Sequence, residues 1–253
     1  MLKVLILGGT SESRLLADAL VGDSRFEPLV SFAGRTASLQ RPAAAHRIGG
    51  FGGAVGLAAF LQSERFDALV DATHPFAARM SANAVEAAAQ TGLPLIRLER
   101  PAWQREPGDR WHSVATMDEA AAALGAIPRR VFLSIGRQEI AAFRAAPQHQ
   151  YLVRAIDRFE PGLPAARVIA ARGPFALAQE RALLEREAIE IVVSKNSGTA
   201  ATYPKIEAAR GLSLPVIMVE RPILPPAAAA AEPSEIVRWL EALHDGAIQR
   251  RGV

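Results

Sequence analysis

The chain has 253 residues, of which 50% are hydrophobic and 22% are charged, with a formal net charge of +3. This composition excludes a disordered chain, because there is enough apolar surface to offset the entropy lost on ordering. The basic residues are scattered and aromatic residues make up only 6%, which argues against nucleic-acid binding. No uncharged apolar run approaches the length of about 18 residues that a membrane span needs. The absence of cysteine excludes disulfides and thiolate metal sites, so we expect a cytoplasmic protein and predict no metal site.

In the first part of the chain, apolar β-rich runs alternate with helical patterns, which predicts parallel strands joined by crossover helices. The predicted strands are Lys3–Leu7, Glu27–Phe32, Ala45–Ile48, Ala68–Asp71 and Leu95–Leu98. The predicted helices are Glu12–Leu20, Ala54–Ser63 and Phe76–Thr91, the last closed by Gly92.

The second part repeats this alternation. The predicted strands are Trp111–Ala115, Arg130–Ser134, Tyr151–Ala155, Val168–Ala171, Ile191–Ser194 and Val216–Val219. The predicted helices are Met117–Leu124, Gln138–Ala145, Pro174–Glu187, Thr202–Arg210 and Pro233–His244.

The two parts also resemble each other in sequence. The segment 93–101 matches 214–222 without gaps, including a shared Glu-Arg-Pro, and Glu12 aligns with Glu139. Self-similarity at half the chain length predicts two similar α/β domains, which we assign to 1–105 and 106–253. Whether the carboxyl-terminal helix at 233–244 packs on the second domain or crosses to the first is left open. Ligands of open α/β sheets bind beyond the carboxyl ends of the strands, and domain interfaces favour pockets. We therefore expect an active site in the cleft between the domains, with its residues just after each strand.

The first strand runs into a glycine-rich turn that suits phosphate. Gly8 and Gly9 permit a tight turn, and the helix that follows presents free N–H groups and the positive end of its dipole. Thr10 and Ser11 add hydroxyl donors beside Glu12. The full G-x-G-x-x-G fingerprint is absent, so a turn that binds no ligand is the alternative.

Arg35 and Thr36 follow the end of the second strand, with no carboxylate nearby. In dinucleotide folds an acidic residue at this position binds the ribose of NAD, whereas arginine accommodates the 2′-phosphate of NADP. The residue types therefore favour NADPH, and an ordinary exposed arginine is the alternative.

Two further strand ends of the first domain carry candidate residues. Gly50, Phe51, Gly52 and Gly53 form a loop that can lie against a flat ligand, with simple flexibility as the alternative. After the fourth strand come Thr73, His74, Pro75 and Phe76. Pro75 suits a first helical position and Thr73 a helix cap, whereas His74 is either a structural histidine or a cofactor contact and proton relay.

In the second domain the corresponding strand end is rich in donors. Ser194, Lys195, Asn196 and Ser197 lie at this end, and Tyr203 and Lys205 follow. Two lysines in so short a segment are notable because the whole chain has only three. Such a patch suits substrate carboxylates or phosphates, and a solvated loop is the alternative.

Taken in order, these motifs resemble the precorrin-6A reductase family of cobalamin biosynthesis, over nearly the whole chain. The motifs are Gly-Gly-Thr-Ser-Glu-Ser-Arg at 8–14, Ala-Gly-Arg at 33–35, Gly-Gly-Phe-Gly-Gly at 49–53, Asp-Ala-Thr-His-Pro-Phe-Ala at 71–77, Glu-Arg-Pro-Ala-Trp at 99–103 and Ser-Lys-Asn-Ser-Gly at 194–198.

The resemblance implies two Rossmann-like domains, NADPH as hydride donor, and reduction of one double bond of precorrin-6A or its cobalt form. It also implies that the first turn, Arg35, the Gly-Phe loop and the 73–76 turn hold NADPH, with the tetrapyrrole over the nicotinamide.

A macrocycle bearing many carboxylates needs cations and hydroxyl donors around a flat apolar floor. The candidate hydroxyl and amide groups that bind the substrate are those of Ser194, Asn196 and Ser197. The candidate cationic side chains are Arg137, Arg154, Arg172, Lys195, Lys205 and Arg221. The proton donor is left open among His74, Lys195, Tyr203 and water. Two other functions are also left open, a non-catalytic NADP(H)-binding sensor and a redox-free tetrapyrrole cyclase. The expected partner is the tetrapyrrole, with transient contact to neighbouring pathway enzymes and no nucleic acid or membrane.

Overall fold

The structure, a computed structural model, describes residues 1–34 and 42–251. The described strands are β1 (Leu2–Leu7), β2 (Phe26–Phe32), β3 (Ala45–Ile48), β4 (Ala68–Asp71), β5 (Leu95–Leu98), β6 (Arg110–Val114), β7 (Arg130–Ser134), β8 (Gln150–Ala155), β9 (Ala166–Ala170), β10 (Ile191–Lys195), β11 (Pro215–Val219) and β12 (Ala228–Ala230). The α-helices are α1 (Ser11–Leu20), α2 (Ala54–Ser63), α3 (Ala78–Thr91), α4 (Met117–Ala123), α5 (Leu177–Arg186), α6 (Pro204–Gly211) and α7 (Pro233–Arg251). Two 3₁₀ helices occupy Arg137–Ala145 and Ala200–Thr202.

The chain forms two compact α/β units. Unit 1 contains residues 1–101 and 222–253, and unit 2 contains residues 102–221. The sheet of unit 1 has the order β12-β5-β4-β1-β2-β3, and that of unit 2 has the order β6-β11-β10-β7-β8-β9. Every strand pair in both sheets is parallel. The five strands β5-β4-β1-β2-β3 follow the same order as β11-β10-β7-β8-β9, which confirms the internal repeat.

The core of unit 1 lies on both faces of its sheet, as expected for a parallel sheet covered by helices. On one face, Ile6 and Val30 pack with Leu16 of α1 and with Leu240 of α7. On the other face, the core contains Leu57 of α2 and Ala84 of α3.

The core of unit 2 centres on the middle strands of its sheet. Phe132 of β7 and Val192 of β10 are fully buried and pack with Leu184 of α5 and Ile206 of α6. Because these strands are parallel neighbours, the carboxyl ends of β7, β8, β10 and β11 lie along the same side of the sheet.

The structure corrects the predicted domain limits at the carboxyl end. The chain passes from unit 1 to unit 2 between residues 101 and 102, close to the predicted boundary. Residues 222–253, however, belong to unit 1 and not to the second domain. The cause is packing: Ile236 and Leu240 of α7 are fully buried in the core of unit 1. In addition, β12 pairs with β5, and Glu99 N–H donates to Ala230 O at 2.8 Å.

The other predicted elements are confirmed to within a few residues, with one change of type, except that α7 continues to Arg251, well beyond its predicted end at His244. Residues 137–145 form a 3₁₀ helix rather than an α-helix. Gly92 closes α3 in the left-handed conformation that the sequence predicted, with φ of 70°. Within residues 1–34 and 42–251, no helix is both long and apolar enough to cross a membrane.

Candidate functional site

The turn between β1 and α1 leaves room only for glycine. A Cβ atom on Gly8 would lie 2.7 Å from Val30 Cγ1, and Gly9 adopts φ of +131°. Packing against Val30 therefore requires glycine at position 8, whereas Gly9 has open space around its added Cβ and is favoured by its positive φ.

The first turn of α1 is capped in a way that still leaves donors for an anion. Ser13 N–H donates to Thr10 Oγ1 at 3.0 Å, and Thr10 N–H donates to Ser13 Oγ at 3.2 Å. The N–H groups of Ser11 and Glu12 lie in the same turn, where no preceding helical carbonyl is available to them. Together with the helix dipole, they form a donor set suited to a phosphate.

A charged pair lies at the same helix end. Glu12, predicted as a cofactor contact, forms an ion pair with Arg100 at 2.8 Å. Burial lowers the pKa of Arg100, and the carboxylate of Glu12 opposes that effect. The sequence analysis did not predict a role for Arg100. The Glu-Arg-Pro triplet that is repeated at 99–101 and 220–222 could have drawn attention to it.

The glycine loop after β3 is held by an arginine that the sequence analysis also missed. The guanidinium of Arg47 lies 4.3 Å from the ring centroid of Phe51 and 5.0 Å from that of Phe60. Its Nη1 donates to Gly49 O at 3.1 Å, and its Nη2 donates to Gly50 O at 3.3 Å. Phe51 is therefore packed on a cation and a second ring, which excludes a freely flexible loop.

The end of β4 is organised by a buried carboxylate. Asp71 Oδ1 accepts from Thr73 Oγ1 at 2.7 Å and from Thr73 N–H at 3.2 Å, and Arg97 lies 3.5 Å from Oδ2. Thr73 therefore does not cap α3, where Ala77 occupies the cap position without a side-chain bond. His74 Nδ1 accepts from Phe76 N–H at 3.3 Å, which fixes the ring beside that of Phe76.

Pro75 is buried within this turn. Arg35 and Thr36, which carry the expectation of 2′-phosphate recognition, lie outside the described residues.

In unit 2, Asn196 has a structural role at the end of β10. Its Oδ1 accepts from Trp103 N–H at 2.8 Å, and its Nδ2 donates to Trp103 O at 3.2 Å and to Glu220 Oε2 at 3.1 Å. Arg221 Nε donates to Asn196 O at 3.0 Å, and Arg221 Nη2 donates to Ser197 O at 3.2 Å. These residues therefore fix the shape of the loop that follows Lys195, and Ser194 is fully buried beneath it.

Three predicted substrate cations remain accessible in unit 2. Lys195 ends β10 and forms an ion pair with Glu139 at 2.7 Å, with 14% of its side chain exposed. Arg137 is exposed beyond β7, with its guanidinium 5.8 Å from the ring centroid of Phe159. Arg172 is exposed beyond β9.

Arg154 and Lys205 are buried instead. The side chains of Arg154 and Glu180 are only 5% and 3% exposed and form an ion pair, with Phe175 stacked 3.8 Å from the guanidinium. Lys205 Nζ donates to Thr202 O at 2.9 Å beneath the ring of Trp103. Both cations therefore have internal partners, and we treat them below as structural groups.

Lys205 should make the stability of the protein depend on pH. Burial, followed by repulsion from Arg154, lowers the pKa of Lys205 from 10.5 to about 7. Between these values the unfolded chain binds a proton that the folded chain does not, so the stability rises with pH by up to about 1.4 kcal/mol per unit. Below pH 7 both states are protonated and this contribution is constant.

We therefore expect Lys205→Met to flatten the rise in unfolding free energy between about pH 7.5 and 9.5, measured by urea denaturation. Parallel curves for the two proteins would show that Lys205 is not buried as described. Lys3→Met is the matched control, because Lys3 is partly exposed and paired with Glu64.

Tyr203 lies beside a pocket of unit 2. Its hydroxyl donates to Glu106 at 2.8 Å and accepts from Arg210 Nη2 at 2.6 Å. Burial raises the pKa of Tyr203, and hydrogen bonding to Glu106 adds to that effect. The pocket has a volume of about 460 Å³ and is lined by Trp103, Gln104, Glu106, Gly198, Ala200, Tyr203, Pro204 and Glu207. Its two glutamates make it a poor place for a substrate carboxylate.

Among the described residues, no cluster of three or more histidine, aspartate or glutamate side chains has the arrangement of a metal site. The edge of unit 1 instead offers what a dinucleotide phosphate needs. Gly9 leaves open space beside the turn, the first turn of α1 has N–H groups without a preceding helical carbonyl, and Arg47 packs on Phe51 of the 49–53 loop.

These features define a class of protein with two parallel six-stranded α/β sheets of Rossmann type, one of which has a glycine-rich turn between its first strand and helix. Residues 3–241 match the family described as Precorrin-6x reductase CbiJ/CobK. A precorrin-6A reductase from a Sinorhizobium species is 54% identical over 221 residues, which cover 87% of this chain and 85% of that protein. The precorrin-6A reductase of Rhodobacter capsulatus is 47% identical over 242 residues, which cover 95% of this chain and 96% of that protein.

A solved structure described as CobK precorrin-6A reductase is 46% identical and superposes with a TM-score of 0.90, covering 96% of this chain and 97% of that one. The chain therefore belongs to the precorrin-6x reductase CbiJ/CobK family, as its motifs predicted.

Proposed function

We propose that this protein is an NADPH-dependent reductase that converts one carbon–carbon double bond of precorrin-6A, or of its cobalt form, to the dihydro product in cobalamin biosynthesis. The observation that carries the proposal is the strand-end geometry of unit 1, in which Gly8, the first turn of α1 and the Arg47-supported loop converge on one sheet edge. The family membership and the names of the relatives support the choice of substrate.

The residues of unit 1 would hold the cofactor by its phosphates. The N–H groups of Ser11 and Glu12 would face the pyrophosphate, and Arg100 would balance the carboxylate of Glu12, which would otherwise repel the phosphates. NADPH, when bound, supplies the hydride. The 73–76 turn, fixed by Asp71, would set the position of His74 close to the reacting ring.

The residues of unit 2 would hold the tetrapyrrole. Arg137, Arg172 and Lys195 are the accessible cations beyond its strands and would bind carboxylates of the macrocycle. Reduction adds a hydride to one carbon and a proton to its neighbour, so one group must donate that proton. Lys195 is our choice, because its ammonium is held at a strand end by Glu139, and His74, Tyr203 and water remain the alternatives.

The location of the active site between the domains, the cytoplasmic location and transient contacts with neighbouring pathway enzymes stay predictions.

The test is anaerobic incubation with precorrin-6A and NADPH, followed by absorbance of the macrocycle and of NADPH. We expect NADPH to be consumed in equal amount to the dihydro product, and the cobalt form is assayed in parallel. Binding of NADPH without reduction of precorrin-6A or of its cobalt form would favour the alternative of a non-catalytic NADP(H)-binding sensor. Failure to bind NADPH, with the macrocycle changed but not reduced, would favour the cyclase.

Cofactor choice is predicted to depend on Arg35. We expect Arg35→Ala to weaken NADPH binding by about 10- to 150-fold and NADH binding far less, because a charge-assisted hydrogen bond contributes roughly 1.5–3 kcal/mol. Arg238→Ala, at an exposed position on α7, is the control. Equal weakening of NADPH and NADH in a fluorescence titration would count against 2′-phosphate recognition by Arg35.

A further inference from the structure

Glu139 holds the ammonium group of Lys195 at the edge of the unit 2 sheet. Lys195 Nζ donates to Glu139 Oε1 at 2.7 Å. The two residues come from neighbouring strands, because β7 and β10 pair in parallel and Glu139 follows β7. We propose that Glu139 is a positioning residue that orients Lys195 toward the substrate, an inference that rests on the proposed function of Lys195.

The path of the glutamate side chain depends on a glycine. A Cβ atom on Gly136 would lie 2.2 Å from Glu139 Oε2, so the carboxylate occupies the space that any other residue at 136 would fill. Glu139 N–H also donates to Gly136 O at 3.1 Å, which closes the turn that brings the carboxylate back over Gly136. The local backbone is therefore shaped to place this carboxylate beside Lys195.

The internal repeat supplies an independent comparison. Glu12 aligns with Glu139, and it too binds a cation, Arg100, at 2.8 Å. In unit 1 the cation follows β5, whereas in unit 2 it stands at the end of β10, the strand that corresponds to β4, after which His74 lies. The first-turn glutamate is thus directed in unit 2 to the strand end where unit 1 carries its histidine, which is the place where chemistry is proposed.

The pair is largely shielded from water, since the side chains of Lys195 and Glu139 are 14% and 31% exposed. Removing the glutamate leaves a cation without its partner and therefore costs some stability. Holding a long, flexible side chain in one orientation adds an effect on the reaction, because a displacement of about 1 Å can lower a rate by about 100-fold. We therefore expect removal of Glu139 to lower the turnover of the protein that remains folded.

The experiment compares Glu139→Ala and Glu139→Gln with the control Glu64→Ala. Glu64 pairs with Lys3 at 3.0 Å, so the control removes the same kind of ion pair at the opposite, amino-terminal end of β1. We expect Glu139→Ala to lower kcat by about tenfold or more with the Kd of NADPH unchanged within about twofold. We expect Glu139→Gln, which keeps an oxygen acceptor of the same length, to recover part of that loss, and Glu64→Ala to change neither quantity.

A second readout does not depend on activity. With only three lysines in the chain, ¹³C-lysine labelling gives three side-chain signals that single substitutions assign. We expect the two Cε protons of Lys195 to be inequivalent in the wild type and to become equivalent in Glu139→Ala. An unchanged Lys195 signal, or an unchanged kcat in Glu139→Ala, would overturn the proposal. Absence of turnover in the wild type would instead refute the proposed function, and the lysine signals would still test the positioning role.

Discussion

Gly56→Ala is expected to abolish NADPH binding at concentrations that saturate the wild type, with a loss of affinity of about 100-fold or more. A Cβ atom on Gly56 would lie 1.7 Å from Phe51 O and 2.9 Å from Phe51 C. Both are backbone atoms, so the clash is relieved only if the glycine loop or α2 moves. Leu57 and Leu61 are fully buried and anchor α2, which leaves the loop as the part that shifts.

The same substitution is expected to lower the stability of the fold by about 1–3 kcal/mol, because overpacking outweighs the better helix propensity of alanine. Gly246→Ala in α7 is the matched control, since no atom lies within 4 Å of its added Cβ. Calorimetry of NADPH binding and urea unfolding of both variants give the two readouts. A Gly56→Ala protein that unfolds more easily yet binds NADPH normally would exclude the loop from the cofactor site.

Arg154→Met is expected to destabilise unit 2 by about 3–5 kcal/mol, since it leaves the carboxylate of Glu180 buried without its counter-charge. Arg154 Nη2 and Glu180 Oε2 are already buried without a hydrogen-bond partner among the described residues. Lys205 interacts with both charges and is protonated more readily once Arg154 is removed, so we expect a loss toward the lower end of this range. The double variant Arg154→Met/Glu180→Met should regain most of the lost stability, because replacing both charges with apolar groups removes the desolvation penalty.

The control for this experiment lies on α5, the helix that carries Glu180. Arg181 and Glu185 form an exposed ion pair on α5, at 55% and 50% exposure, and Arg181→Met should change stability by no more than about 0.5 kcal/mol. Urea unfolding measures all three variants. If Arg154→Met keeps its stability and instead weakens binding of the tetrapyrrole, Arg154 contacts the substrate, as its place at a strand end predicted.

The sequence was sufficient for the sheet strands and for the repeat, because apolar runs bounded by turn residues define them locally. It was not sufficient for β12. Ala228–Ala230 has low strand propensity, and these residues form a strand only because the edge of β5 is available to pair with them. That pairing joins residues more than 120 positions apart and also carries α7 back to unit 1, which is why the carboxyl-terminal segment was assigned to the wrong domain.

In the candidate site, the positions of residues at strand ends could be predicted from the local sequence, whereas their burial and contacts depend on the folded structure. Strand position correctly marked the 73–76 turn and Lys195 as residues at sheet edges. It could not distinguish an arginine that faces solvent, such as Arg137, from one that is buried against a carboxylate, such as Arg154. Arg47 was missed because its importance comes from two rings and two carbonyls that only the folded loop brings around it.

The measurement that tests the central claim most directly is a crystal structure of the protein soaked with NADPH. The account predicts density for the pyrophosphate against the N–H groups of Ser11 and Glu12, with the 2′-phosphate within hydrogen-bonding distance of Arg35. Density for the coenzyme at the strand ends of unit 2, or none in unit 1 at concentrations that saturate turnover, would contradict it.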